Sequence, residues 1–238
     1  DLQYPQRFSV TGGSDGLRKT HLQLGGAKDG NHHYLSLTGV RYQGQRDQSE
    51  MEKYLLTSRV GRALSVDRDV ELFLTAMDTP MAEDPGGLTR AQVEQDRDQA
   101  ARFSNLLDAG QAVSQQRLGV LYRDRSLGGE VRARAFVTQR DFTQQLPFPG
   151  SSLIDYERLF YGVRLEYVDR VRLFGLAHRF LVGVDADQQR DDRGRRSVNA
   201  DGQVTGLTAD EDQTATASGV FVQTDSDLSD TVTLSLGA

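Results

Sequence analysis

Residues 129–142, GEVRARAFVTQRDF, alternate with a period of two. Val131, Ala133, Ala135 and Val137 fall on one parity; Arg132, Arg134, Thr138 and Arg140 fall on the other. That period belongs to a β-strand, because successive Cβ atoms point to opposite sides of the backbone. The segment therefore predicts a strand with one apolar face and one basic face. Two surroundings can hold it. In a soluble sandwich the apolar face meets a packed second layer. In a transmembrane barrel that face meets lipid, and the arginines line a hydrated interior.

The alternation recurs. In RLFYGVRLEYV, Leu159, Tyr161, Val163, Leu165 and Tyr167 oppose Arg158, Arg164 and Glu166. In RFLVGVDAD, Phe180, Val182, Val184 and Ala186 oppose Arg179, Asp185 and Asp187. In TVTLSLGA, Val232, Leu234 and Leu236 share a face. The pattern predicts strands over 5–13, 17–27, 31–44, 52–64, 69–78, 113–124, 129–142, 156–170, 178–190, 212–226 and 230–238. HHYLSLTGVRY carries apolar residues on both parities, so its faces stay unassigned. The one helical candidate is LTRAQVEQDRDQAARF, with Thr89 as its cap.

Connection lengths separate lipid from a packed core. Links at 28–31, 64–69, 124–129, 171–177 and 227–230 are short, whereas those at 45–51, 79–112, 143–155 and 191–211 are longer and polar. Only the short first link, SDG, breaks the alternation. Brief turns at one end and long loops at the other describe an up-and-down barrel. Ala133, Ala135, Ala186 and Tyr167 on the apolar faces fill a core poorly but suit a lipid boundary. Arginines opposite them are costly in a packed core and cheap in a wet lumen. The expected fold is all-β: an antiparallel up-and-down transmembrane β-barrel wall of about eleven strands.

Composition agrees. No apolar run among the 238 residues approaches the ~20 that a membrane helix requires. A mean hydropathy of −0.54 is compatible with barrel strands, which alternate. The absence of cysteine removes disulfides and thiolate zinc sites, and a net charge of −6 argues against a nucleic-acid partner. The chain does not open on a basic, then apolar, then small-residue run, so no signal peptide is expected within it.

Several stretches resemble a known family. GGSDGLRKTHLQLGG (12–26), YLSLTGVRYQGQRD (34–47) and AEDPGGLTRAQVEQDRDQAARFSNLLDAG (82–110) resemble the barrel of TonB-dependent outer-membrane receptors of the ferric-siderophore and ferric-citrate type. Asp84 to Thr89, followed by Asp96, Gln99 and Ala100, is the most particular piece, and GVFVQTD (219–225) with TVTLSLGA resembles a later hairpin. The resemblance implies a barrel of about 22 strands. Residues 1–238 would then be a partial barrel domain, without the plug, the TonB-contacting segment or the C-terminal half. It further implies a Gram-negative outer membrane, a ferric siderophore or similar iron chelate as ligand, and TonB as partner through the missing N-terminal region. Iron would enter only within the transported chelate, with no cofactor bound directly.

No enzyme constellation is present. GGSDG lacks the Gly-Lys-Ser/Thr and helix of a phosphate loop and reads as a tight hairpin. DADQQRDDRGRR starts like a calcium loop, yet Arg190 and Arg196 stand where glycine and glutamate are required. His32 and His33, being adjacent, face opposite sides of a strand. The arginines remain. Guanidinium forks recognise anionic oxygen ligands such as ferric chelates. Arg140 and Arg158 are expected near the barrel mouth, and Arg190, Arg193, Arg195 and Arg196 in the fifth outer loop. The alternative for each is an ordinary solvated residue paired with Asp141, Asp191 or Asp192. At the level of the whole chain, a passive outer-membrane pore and a soluble all-β binding module stay open.

Overall fold

A computed structural model describes residues 6–238. The strands are β1 (Arg7–Gly12), β2 (Arg18–Lys28), β3 (Asn31–Tyr42), β4 (Met51–Ala63), β5 (Arg68–Glu83), β6 (Gly110–Asp124), β7 (Glu130–Gln145), β8 (Gly150–Leu173), β9 (Leu176–Val198), β10 (Val204–Ser229) and β11 (Val232–Gly237). They form one antiparallel sheet in sequence order, each paired with its chain neighbours. No second layer covers either face among the described residues. The expected start of the first strand at residue 5 lies outside them.

Tight turns follow from sequence. Asp15–Gly16 and Asp29–Gly30 both take positive φ, at 54° and 69° and at 50° and 75°. Such pairs match the right-handed twist of the strands they join. The two turns lie at opposite ends of the sheet, and at the end that carries residues 13–17, 43–50 and 84–109 bulges interrupt the ladder. The one at Thr79/Ala82 holds Pro80, which has no N–H to give the ladder.

Strands β8 to β10 run longer than expected, to 24, 23 and 26 residues. The expected loops at 143–155 and 191–211 shrink to residues 146–149 and 199–203, so their length is corrected. The cause is chemical: above the apolar band these strands are polar on both sides, and alternation no longer marks them. Only residues 43–50 and 84–109 form long connections, both at the same end. The expected single helix over 88–103 is two short ones, α1 (Arg90–Gln95) and α2 (Arg102–Leu106). Asp96 ends α1 in an extended conformation. Thr89 caps it as expected, in a capping box with Gln92.

Register fixes the faces. Val131, Ala133, Ala135 and Val137 lie opposite Tyr167, Leu165, Val163 and Tyr161, and these in turn lie beside Val182, Val184, Ala186 and Gln188. On this face large hydrophobic side chains stay open: Val163 is 59 % exposed, Leu165 50 % and Leu118 52 %. Leu35 and Leu37 join it, which settles the ambiguous third strand. Tyrosines near its edges donate to carboxylates, Tyr122 to Asp124 (3.2 Å) and Tyr167 to Asp169 (3.3 Å) toward the turns and Tyr54 to Glu52 toward the loops, while Tyr161, within the band, donates to Gln188. Leu159 to Tyr167 spans eight residue steps. At ~3.3 Å per step and a tilt of about 40°, that is roughly 20 Å, close to the ~25 Å band of an outer-membrane barrel.

Candidate functional site: an arginine–aromatic cluster on the concave wall

The opposite face carries the charge, and its two ends differ. Toward the short turns most of the arginines are ion-paired, with Arg170 and Arg172 beside the β8–β9 turn as exceptions. Arg123 meets Asp69 (2.7 Å) and Glu71 (3.5 Å), and Arg125 bridges Asp69 and Glu130 (2.9 Å each). Arg132 pairs with Glu130, Arg134 reaches Glu166 at 3.8 Å, and Arg179 reaches Asp225 at 3.1 Å. This end of the wall is close to neutral.

Toward the loops the balance changes. Phe142 of β7 and Tyr156 of β8 are register partners and stack at 4.9 Å with 22° between ring planes. Arg158 lies over Tyr156 at 4.9 Å and Arg140 over Phe142 at 5.9 Å. Arg140 and Arg158 are themselves cross-strand partners, so two like charges sit side by side. Asp191, only 5 % exposed, relieves this by accepting both Nε (2.8 Å) and Nη2 (2.7 Å) of Arg158. Arg140 has no such partner: its Nε is buried without a hydrogen bond. Arg193 and Arg195 follow on β9, beside Tyr156 and Ile154. Among the described residues, Arg140, Arg193 and Arg195 make no ion pair.

The six expected arginines thus divide. Arg140, Arg158, Arg193 and Arg195 share the concave face. Arg190 and Arg196 point outward: Arg190 bonds Gln188 (3.1 Å), and Arg196 pairs with Asp155. The last four arginines belong to β9 rather than to a loop, which corrects their expected setting. Arg158 pairs with Asp191, one of the three acids of the alternative reading. Phe142 and Tyr156 went unnoticed in sequence, although they stand two residues from Arg140 and Arg158 on the same parity.

Arg46 was also missed. From the connection at 43–50 it reaches across to the long loop, donating to the carbonyls of Gly86 (2.8 Å), Pro85 (3.1 Å) and Gln99 (2.9 Å from Nη2, 3.1 Å from Nε). The 47 amide adds a bond to Asp98 O (2.7 Å), and Gln48 bonds Asp108 (2.7 Å). The loop at 84–109 is therefore stitched to its neighbour beside the concave face.

A single up-and-down sheet, apolar outside, charged inside and edged by tyrosines, is the wall of a transmembrane β-barrel. Comparison with solved structures defines which kind. The ferric citrate transporter FecA in its unliganded form superposes with a TM-score of 0.78 at 19 % identity, over 98 % of this chain and 37 % of FecA. The siderophore receptor PiuA from Acinetobacter baumannii gives 0.71 at 13 %, over 96 % and 41 %. The alcaligin outer-membrane receptor FauA from Bordetella pertussis gives 0.71 at 12 %, over 99 % and 36 %. The chain has the fold of the barrel wall of TonB-dependent receptors and spans well under half the length of these proteins. No protein-family model matches it.

Proposed function

We propose that residues 1–238 form part of the barrel domain of a Gram-negative outer-membrane receptor that takes up an anionic ferric chelate of the siderophore or citrate class. Uptake would be energised by TonB through a region outside this chain, with no covalent chemistry on the ligand. The supporting observation is a contrast along the concave wall: most arginines toward the turns are ion-paired, whereas Arg140, Arg193 and Arg195 around Phe142 and Tyr156 make no ion pair, Asp191 holding Arg158 and Glu211 standing in register with Arg193. Rings that exclude water strengthen the attraction between guanidinium and chelate oxygens, and planar forks suit carboxylate geometry. Arg140, Arg193 and Arg195 are the groups free to bind, while Arg158 is held by Asp191 and orients the cluster. Arg190 and Arg196, on the outer side, take no part.

The test is binding of ferric citrate and a panel of ferric siderophores to the complete protein, beside growth under iron starvation. One chelate is expected to bind saturably, and the triple change Arg140→Gln, Arg193→Gln, Arg195→Gln to weaken it at least tenfold. A gene deletion that leaves growth on every chelate unchanged would remove the assignment. Equal permeation by unrelated solutes would leave a passive pore instead.

A further inference from the structure

Arg190, which takes no part on the concave side, stands on the lipid-facing surface at the loop-side edge of the apolar band. It is in register with Leu159 of β8 and Thr214 of β10. Its Nε donates to Gln188 at 3.1 Å, and Gln188 is anchored in turn on Thr216 at 3.1 Å. The guanidinium is thereby drawn toward the band. Its two Nη groups make no hydrogen bond or ion pair among the described residues.

One pleat further from the band, Glu157 of β8, Asp192 of β9 and Asp212 of β10 are consecutive register partners, and Asp141 of β7 extends the row. Glu157, Asp192 and Asp212 are exposed. Among the described residues none of them is engaged in an ion pair or a side-chain hydrogen bond. A hollow of about 640 Å³ lies between the two rows and is lined by Leu159, Arg190, Glu157, Asp192 and Asp212. Moving outward from the band, the surface is first apolar, then cationic, then anionic. The two charged rows lie two residue steps apart, about 6.7 Å along the strand and, at a tilt of about 40°, about 5 Å along the membrane normal. A row of carboxylates does not specify a ligand; this order of charges does.

We propose that the hollow binds the phosphoethanolamine head of a membrane lipid in the loop-side leaflet. The phosphate meets the Nη groups of Arg190. The ammonium, two carbons further out, meets the carboxylates, and an acyl chain descends over Leu159 and Val163, which is 59 % exposed. Charge-assisted hydrogen bonds form at both ends of this head. A purely anionic head gains Arg190 but faces the carboxylates, and a trimethylated ammonium has no N–H to donate to them. The surface is continuous with the lipid-facing band and turned away from the lumen, so a plug inside the barrel leaves it open. The site stands independently of the chelate reading above.

The test uses the complete protein in phosphatidylcholine vesicles, with a bimane label on Val163→Cys beneath the hollow. Phosphatidylethanolamine, phosphatidylglycerol and phosphatidylcholine with brominated acyl chains are compared as quenchers across a range of mole fractions. Phosphatidylethanolamine is expected to associate about fivefold more strongly than either of the others. The preference should vanish in Arg190→Gln and in the triple change Glu157→Gln, Asp192→Asn, Asp212→Asn. It should persist in Arg62→Gln, at the turn-side edge of the same surface. The comparison of lipids in the protein with Arg190 and the carboxylates intact decides the matter even where one of these variants fails to fold. Equal quenching by the three lipids overturns the proposal, as does a preference for phosphatidylglycerol. So does a phosphatidylethanolamine preference that survives Arg190→Gln or the triple change, or that soluble phosphoethanolamine abolishes.

Discussion

Replacing Arg46 by alanine should release the long loop without disturbing the barrel wall. Its guanidinium holds three carbonyls of that loop, on Pro85, Gly86 and Gln99. Hydrogen bonds from a charged donor contribute roughly 1.5 kcal/mol each at the low end, so three carbonyls give about 4–5 kcal/mol. Ordering the arginine side chain costs about 2 kcal/mol. The carbonyls are part-buried but find water once the loop opens, so no further desolvation penalty remains. The net is about 2.5 kcal/mol, a factor of roughly 70 in the opening equilibrium. Hydrogen exchange in the complete protein reads this directly. The amides of Ala101, which donates to Pro85 O at 2.8 Å, and Asp47 should exchange tens of times faster in Arg46→Ala. Ladder amides of β6 should not change. Arg46→Lys, a point charge without the fork, should fall between. Unchanged exchange at both amides in Arg46→Ala would refute the claim that this side chain holds the loop.

Three further outcomes follow from the same coordinates. Val163→Arg, in the apolar band, should cost about 2–4 kcal/mol in reversible unfolding from lipid, whereas Ala217→Arg, exposed on the concave face, should change it by less than about 0.5 kcal/mol. Gly183→Ala places a methyl 2.3 Å from the Phe221 ring and 2.9 Å from the 165 carbonyl oxygen; urea denaturation should record a loss of about 1–3 kcal/mol as the ring leaves its stack with Arg164. Thr89→Ala should remove about 1 kcal/mol from α1 alone, seen as faster exchange at Gln92 and Val93 with the global melting temperature unmoved.

The strand faces were legible because lipid and water enforce a period of two wherever a strand crosses the apolar band. Legibility ended where that contrast ended. In β9, Asp191, Arg193 and Arg195 face inward while Asp192, Gly194 and Arg196 face outward; with no apolar parity left, strand reads as loop. Extending the parity of Arg190 through residue 196 would have turned both outer arginines away from the lumen. Phe136 breaks the simple pattern by standing among arginines, and its reason is tertiary: it packs at a tilt against Phe160 and lies under the Arg117 guanidinium. The helix expected over 88–103 failed because its polar stretch buries too little to bridge residues 96–101. Arg46 was invisible since its partners lie 39 to 53 residues away.

The account depends on hydrocarbon touching the outward side chains. The chain has no cysteine, so single cysteines can be placed at Val163, Leu165 and Val184 on the outward face, and at Arg164 and Asp185 on the inward face. Spin labels at these sites in the bilayer-reconstituted complete protein are read for collision with oxygen, which partitions into lipid, and with a water-soluble nickel chelate. High oxygen and low nickel access at the three outward sites, against the reverse ratio at Arg164 and Asp185, is the expected result. Nickel reaching the outward sites freely, or neither reagent reaching them, would contradict it.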